Sequence, residues 1–123
     1  MLRNGKLFQV TSDHSYVAEL VERGEITKEE ARVHPQRNMI TRALGLSRSV
    51  KVDLLKLRLH GGELFLLCTD GLSGVLTNDE LKKILEKEQP LDEKAPALVK
   101  KALENGSSDN VTAMLVKVEG EPA

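Results

Sequence analysis

An α+β fold of antiparallel strands and short helices is what this 123-residue sequence predicts. Three observations carry that prediction. Leu64-Phe65-Leu66-Leu67-Cys68-Thr69 would be apolar on both faces of an extended chain, as in a central strand, and runs straight into Asp70-Gly71. Val111 to Val118 is a second apolar strand, entered from Gly106-Ser107-Ser108-Asp109-Asn110. Elsewhere, apolar residues recur at helical spacing behind residues that cap helices. One carboxylate thus sits where an apolar strand ends and another where an apolar strand begins. If the strands are antiparallel neighbours, Asp70 and Asp109 emerge at one edge of the sheet. Paired carboxylates there suit a hard divalent cation, which takes oxygen ligands.

The elements follow in order. Leu2-Arg3-Asn4-Gly5-Lys6-Leu7-Phe8 places Asn-Gly between two extended pieces, the preferred pair for a type I′ hairpin turn. Only three residues precede that turn, a poor strand, so the sequence reads as starting partway through a hairpin. Ser12 or Asp13 is the expected cap of a helix with Tyr16, Val17, Leu20 and Val21 on one face, stopped by Gly24. Thr27-Lys28-Glu29-Glu30 has the form of a capping box, and Pro35 ends the helix it starts. From His34 to Ser49 no clean period is present.

Leu55, Leu57 and Leu59 alternate with Lys56 and Arg58, which predicts a half-buried strand. Gly61-Gly62 then turns the chain into the Leu64 strand. Thr77-Asn78-Asp79-Glu80 is a second capping box, and its helix should bury Leu81, Ile84 and Leu85. A further helix after Pro90 carries Ala95, Leu98, Val99, Ala102 and Leu103 on one face, with Gly106 past its end.

Composition narrows the function. Apolar residues make up 40% and aromatics only 2%, so the core must be built from Leu, Val, Ile and Ala. Charged residues reach 30% but sum to a net charge of −1, without the basic excess of a nucleic-acid footprint. No apolar run approaches the roughly 20 residues that span a bilayer, so no membrane partner is expected. Cys68 is the one cysteine, so no internal disulfide forms; a cytoplasmic setting fits. It reads as a buried structural thiol, with no His or Lys near it in sequence to activate it. His14, His34 and His60 lie on separate segments without ligand spacing, which argues against a zinc site. Arg37 and Arg42 suit either phosphate or open solvent. Asp70-Gly71 alone is a common turn dipeptide, and Ser107 to Asn110 alone can form Asx turns. Placement at the ends of apolar strands is what raises both.

Taken together, these segments resemble the metal-dependent protein phosphatases, the PPM or type 2C family, in their bacterial form. Thr11-Ser12-Asp13-His14-Ser15, Gly24-Glu25-Ile26-Thr27-Lys28-Glu29-Glu30-Ala31 and His34-Pro35-Gln36-Arg37-Asn38 with Ile40 to Gly45 look like that family's flap. Leu66-Leu67-Cys68-Thr69-Asp70-Gly71-Leu72 is similar to its central metal-binding strand and turn. Gly106-Ser107-Ser108-Asp109-Asn110-Val111-Thr112 looks like its final Asp-Asn motif.

The resemblance implies that residues 1–123 are the C-terminal half of a PPM catalytic domain. Residues 13–45 would be a flap-like segment, and residues 50–118 the sheet and helices with the metal-binding turns. The implied fold is half of a two-sheet antiparallel β-sandwich flanked by helices, αββα. The implied function is hydrolysis of phosphoserine and phosphothreonine in phosphorylated protein substrates. Manganese or magnesium would be the cofactor, as two or more ions in the complete domain. Asp70 and Asp109 are the implied metal ligands, Asp70 also facing a third, weaker ion, with Asn110 and Gly71 supporting them. The family's other aspartates and its phosphate-holding arginine match nothing in these residues. The chain alone is therefore expected to be inactive and to form a homo-oligomer that covers its exposed strands. The alternative reading is a non-catalytic binding or assembly module derived from such a half-domain.

Overall fold

The computed structural model describes residues 1–120. In chain order the elements are β1 (Leu2–Arg3), β2 (Lys6–Leu7), α1 (Tyr16–Glu22), α2 (Lys28–Val33), β3 (Leu64–Cys68), α3 (Asp70–Ser73), α4 (Asn78–Glu86), α5 (Leu91–Glu104) and β4 (Ala113–Lys117). They fall into two compact units, residues 1–10 with 58–120, and residues 11–57.

The first unit holds a four-stranded sheet in the order β2-β1-β3-β4. Every pairing is antiparallel, and the α+β class is as the sequence implied. The short β1 forms better than its length suggested. Asn4 (φ 49°) and Gly5 (φ 71°) make the I′-type turn, which sets Leu2 opposite Leu7 and Arg3 opposite Lys6. The other edge of β1 pairs through Leu2 with Leu64, so these few residues are held from both sides. β3 is central, as its apolar run predicts, and pairs along its whole length with β4, from Leu64 opposite Lys117 to Cys68 opposite Ala113.

One face of this sheet carries the core. Leu64, Leu72, Leu76, Leu81, Leu85, Leu98 and Ala102 are buried together, with Leu2, Leu7, Leu66, Ala113 and Leu115 packed against them. Strand alternation then sends Phe65, Leu67, Met114 and Val116 to the other face. There Leu67 is 55%, Met114 59% and Val116 45% exposed. Cys68 corrects an expectation: it is exposed, not buried. Burial falls along β3 from Leu64 to Cys68 as the strand leaves the helical cover.

Each helix of this unit has a local cause. The Thr77 capping box is complete: Glu80 N–H donates to Thr77 Oγ1 (3.2 Å), and Thr77 N–H donates to Glu80 Oε2 (2.9 Å). That N–H first, and then the Asn105 amide, hold the Glu80 carboxyl below its ordinary range. Thr77→Ala should cost about 1 kcal/mol in a urea unfolding experiment, and an unchanged midpoint would mean the cap adds nothing. α5 ends in a Schellman motif, with Gly106 N–H on the Leu103 carbonyl and Ser107 N–H on that of Ala102, both 3.0 Å. The motif needs a left-handed residue, and Gly106 has φ 85°.

Glu63, 1% exposed, is a buried carboxylate that the sequence did not announce. It accepts the N–H groups of His60 (2.7 Å) and Gly61 (2.9 Å) and an Arg3 Nη2 bond (3.1 Å). The His60 N–H is the largest of the effects that hold its carboxyl low, while burial pushes the other way.

The expected strand through Leu55, Leu57 and Leu59 does not form. Residues 51–60 belong to no strand of the structure, and these leucines are 59%, 46% and 48% exposed. Alternation marks a surface able to be half-buried; a strand also needs a neighbour to accept its backbone bonds.

In the second unit, Ser15 rather than Ser12 or Asp13 caps α1, accepting the Ala18 N–H at 3.2 Å. The register slips because Ser15 also bridges to Ile40, which fixes where the extended chain ends. Thr27 caps α2 through the Glu30 N–H (3.1 Å). That helix stops at Val33, before His34 and Pro35, as the proline dictates.

Candidate metal centre at the sheet edge

The pairing of β3 with β4 brings the two acidic segments together. Beyond Cys68 and Ala113 the ladder continues with Thr69 N–H donating to the Thr112 carbonyl at 3.1 Å. Thr69 Oγ1 adds two links: it accepts Thr112 N–H and donates to the Asn110 carbonyl, both at 3.1 Å. From the end of α5, Ser107 Oγ donates to the Gly71 carbonyl at 2.7 Å. Asp70-Gly71 and Asp109-Asn110 therefore stand side by side at one edge of the sheet.

Gly71 is the tightest point. A Cβ built on it would lie 2.1 Å from the Asn110 carbonyl oxygen and 3.3 Å from Val111 Cγ2. No side chain fits there, so the backbones of the two turns touch because residue 71 has none. The resemblance implies that Gly71 and Asn110 support a metal site; the structure brings the Gly71 backbone against the Asn110 carbonyl.

Asp70 does not sit in a simple turn. It is the first residue of the one-turn helix α3, with Thr69 at the N-cap position but making no side-chain cap bond. Its carbonyl accepts the Gly74 N–H at 2.8 Å, which commits the backbone to the helix and leaves the exposed side chain apart from it. Asp109, also exposed, accepts the Asn110 N–H on Oδ1 at 2.7 Å. The donor set is all oxygen, which suits magnesium or manganese rather than a thiophilic ion. It is also small: among the described residues no group of three or more His, Cys, Asp or Glu side chains could hold an ion. Asp70 and Asp109 are the two exposed carboxylates at this edge, and their number falls short of a two-ion site.

Sequence reasoning missed a second polar cluster, within residues 11–57. Asp53 joins His14 Nε2 (2.7 Å) to Arg42 Nη1 (2.9 Å) beside a groove of about 410 Å³. The Arg42 hydrogen bond first, then that of His14, hold the Asp53 carboxyl below its ordinary range. A lowered carboxylate pKa stabilises the fold above the unfolded value of about 3.9, and that share is lost as pH falls through the folded value. Asp53→Asn should therefore lower stability near neutral pH and flatten its fall on acidification. Equal acid sensitivity in both proteins would remove Asp53 from the effect. Arg42, offered by sequence as a phosphate candidate, spends Nη1 on Asp53. Arg37 donates to the His34 carbonyl at 3.3 Å. His14, His34 and His60 belong to no metal-binding group among the described residues.

An antiparallel sheet under helices, with two acidic turns meeting where two strands end, is also found in the bacterial serine/threonine phosphatases to which this chain is similar. The serine/threonine phosphatase Stp of Listeria monocytogenes is 41% identical over 117 residues, which cover 95% of this chain and 46% of the relative. The crystal structure of the phosphatase Stp1 from Staphylococcus aureus superposes with a TM-score of 0.90 at 43% identity, covering 95% of this chain and 46% of that one. The catalytic domain of the phosphatase PstP, solved with two manganese ions, gives 0.80 at 35% identity, covering 97% and 48%. No family model matches the chain. At about 40% identity over nearly its whole length, the chain is a homologue of the bacterial PPM serine/threonine phosphatases. It spans about half the length of the relatives it matches.

Proposed function

We propose that these residues form the C-terminal half of the catalytic domain of a metal-dependent protein phosphatase. Its substrates are phosphoserine and phosphothreonine in proteins. The observation that carries this reading is the locked pair of turns, Asp70-Gly71 against Asp109-Asn110, in a homologue of such enzymes. Asp70 and Asp109 are the oxygen ligands this half offers to manganese or magnesium. Asn110 and Gly71 hold the two turns at their spacing. In such enzymes a metal pair supplies a hydroxide nucleophile at neutral pH and stabilises charge on the phosphoryl oxygens. This chain's part is to place two carboxylates on a rigid strand edge, where a ligand is held more precisely than on a free loop.

Two carboxylates cannot hold a metal pair, so the 123-residue chain is catalytically incompetent by itself. Calorimetric titration with manganese should show weak binding, weakened further by Asp70→Asn or Asp109→Asn. Phosphopeptide hydrolysis should stay at background with manganese present. Clear manganese-dependent turnover by this chain would overturn the half-site reading.

A cytoplasmic setting without nucleic-acid contacts is part of this proposal, in keeping with a single cysteine and a net charge of −1. Among the described residues no helix is long and apolar enough to cross a membrane. A second reading, a non-catalytic assembly module, is favoured by one observation, the apolar sheet face bearing Leu67, Met114 and Val116. The two readings share an expectation that copies of this chain associate.

A further inference from the structure

The geometry points to the groove between α4 and α5 as a docking site for a short acidic segment of a partner protein, one that sets an apolar side chain among its carboxylates. The end of α5 returns to the start of α4, where Lys101 Nζ meets Glu80 Oε1 at 3.7 Å. Between the two helices lies a groove of about 340 Å³. Lys83 and Lys87, one turn apart, line it from α4, and Lys100, Lys101 and Glu104 line it from α5. Ile84 and Ala97 supply its apolar part.

The lysines are short of partners. Lys101 has Glu80, and Lys82, outside the groove, has Glu86 at 3.9 Å. Among the described residues the ammonium groups of Lys83, Lys87 and Lys100 make no hydrogen bond or ion pair. Glu104 is the single carboxylate that lines the groove, so four cations face one anion in a chain whose net charge is −1. Such a concentration of one sign draws in a ligand of the other and selects against its own. A long polyanion fits less well. Glu88 follows α4, Asp92 and Glu93 form the first turn of α5, and Glu104 ends it, so carboxylates stand at both ends of the groove. A short segment reaches the lysines without running past those ends.

The groove opens away from the sheet. Leu81 and Leu85 of α4, with Leu98 and Ala102 of α5, are buried in the core between these helices and the strands. Lys83, Lys87 and Lys100 stand on other faces of the same helices and are exposed. On the half-domain reading, the residues that complete the sandwich lie against the opposite sheet face, the one bearing Leu67, Met114 and Val116. They leave the outer side of α4 and α5 open, so the groove belongs to the whole domain as much as to this half. It is also built from two well-capped helices, which hold its lysines at fixed spacing before any ligand arrives.

The probe is a short fluorescent peptide of glutamates with one central leucine, titrated with the 123-residue chain and followed by anisotropy at low salt. Binding should be saturable and should weaken as salt is raised, because exposed charges are screened. Lys83→Glu and Lys100→Glu should each weaken it by about tenfold, with unchanged circular dichroism. Lys28→Glu makes the same change of net charge on α2 and should leave binding as it was. Ala97→Gln fills the groove without a charge, and should weaken the leucine peptide more than an all-glutamate one. No binding at low salt overturns the inference, as does equal loss from Lys28→Glu, which would reduce the effect to net charge. Single-stranded DNA of the same length bound more tightly through the same lysines would replace the acidic protein segment with a nucleic acid. Equal effects of Ala97→Gln on both peptides would remove the apolar side chain from the proposal. The measurement uses neither metal nor turnover, so its failure is distinct from failure of the phosphatase reading.

Discussion

Gly71→Ala is expected to be among the most damaging single substitutions this chain can suffer. Its new methyl would stand 2.1 Å from the Asn110 carbonyl oxygen, well inside contact distance and against backbone rather than a flexible side-chain tip. Relief requires the β3–α3 turn to part from the Asp109-Asn110 turn. That movement would strain the Thr69 links to Asn110 and Thr112 and the Ser107 link to Gly71. A loss of about 4 kcal/mol is expected, against a total stability of about 5–15 kcal/mol for a typical domain. Gly24→Ala is the control, because its backbone is also special (φ 75°) but nothing lies within 4 Å of the added methyl. It should cost about 1–2 kcal/mol, the usual penalty for a left-handed L-residue. Urea unfolding of both variants decides the matter. Equal losses would mean that the contact at Gly71 relaxes easily and that the two turns are not locked.

The second large effect concerns chemistry. In a protein of the relatives' full length that contains these residues, Asp70→Asn or Asp109→Asn should cut phosphopeptide turnover by orders of magnitude. Replacing a carboxylate oxygen by an amide removes a charged ligand and weakens the ion on which the nucleophile depends. Higher manganese concentration should restore part of the loss if the defect is affinity. Unchanged turnover in either variant would take that residue out of the metal site. The Gly71 and aspartate tests are separable: the aspartate variants should keep the wild-type unfolding midpoint, because both side chains are exposed.

Much of this was legible because local chemistry and tertiary structure agree. The Asn4-Gly5 hairpin, the Thr77 capping box, the Gly106 helix stop and the central β3 each follow from residues adjacent in sequence. The gathering of Asp70 and Asp109 at one edge followed from one further assumption, that the two apolar strands are antiparallel neighbours. What stayed hidden depends on partners distant in sequence. Ser15 caps α1 because of Ile40, and Asp53 matters because of His14 and Arg42. Glu63 is buried because a nest of N–H groups and Arg3 converge on it. The leucines from 55 to 59 mislead for the converse reason: their alternation is real, but no neighbouring strand accepts it. Cys68 reads as buried from its apolar neighbours, whereas its exposure depends on where the helices stop.

The Schellman end of α5 also bears on which changes of chain length this protein tolerates. Ser107 reaches Gly71 only because α5 delivers it at one rotational phase. Adding or deleting a single residue inside α5 would turn everything after it by about 100° about the helix axis. Either the core face with Leu98 and Ala102 or the Ser107-Asn110 turn would then be out of place. Length variation should accordingly be rare between Leu91 and Asn110, and frequent between Leu44 and Leu57, where no helix or strand keeps count. A deletion scan through both stretches, scored by soluble yield, would show one as a fixed ruler and the other as slack.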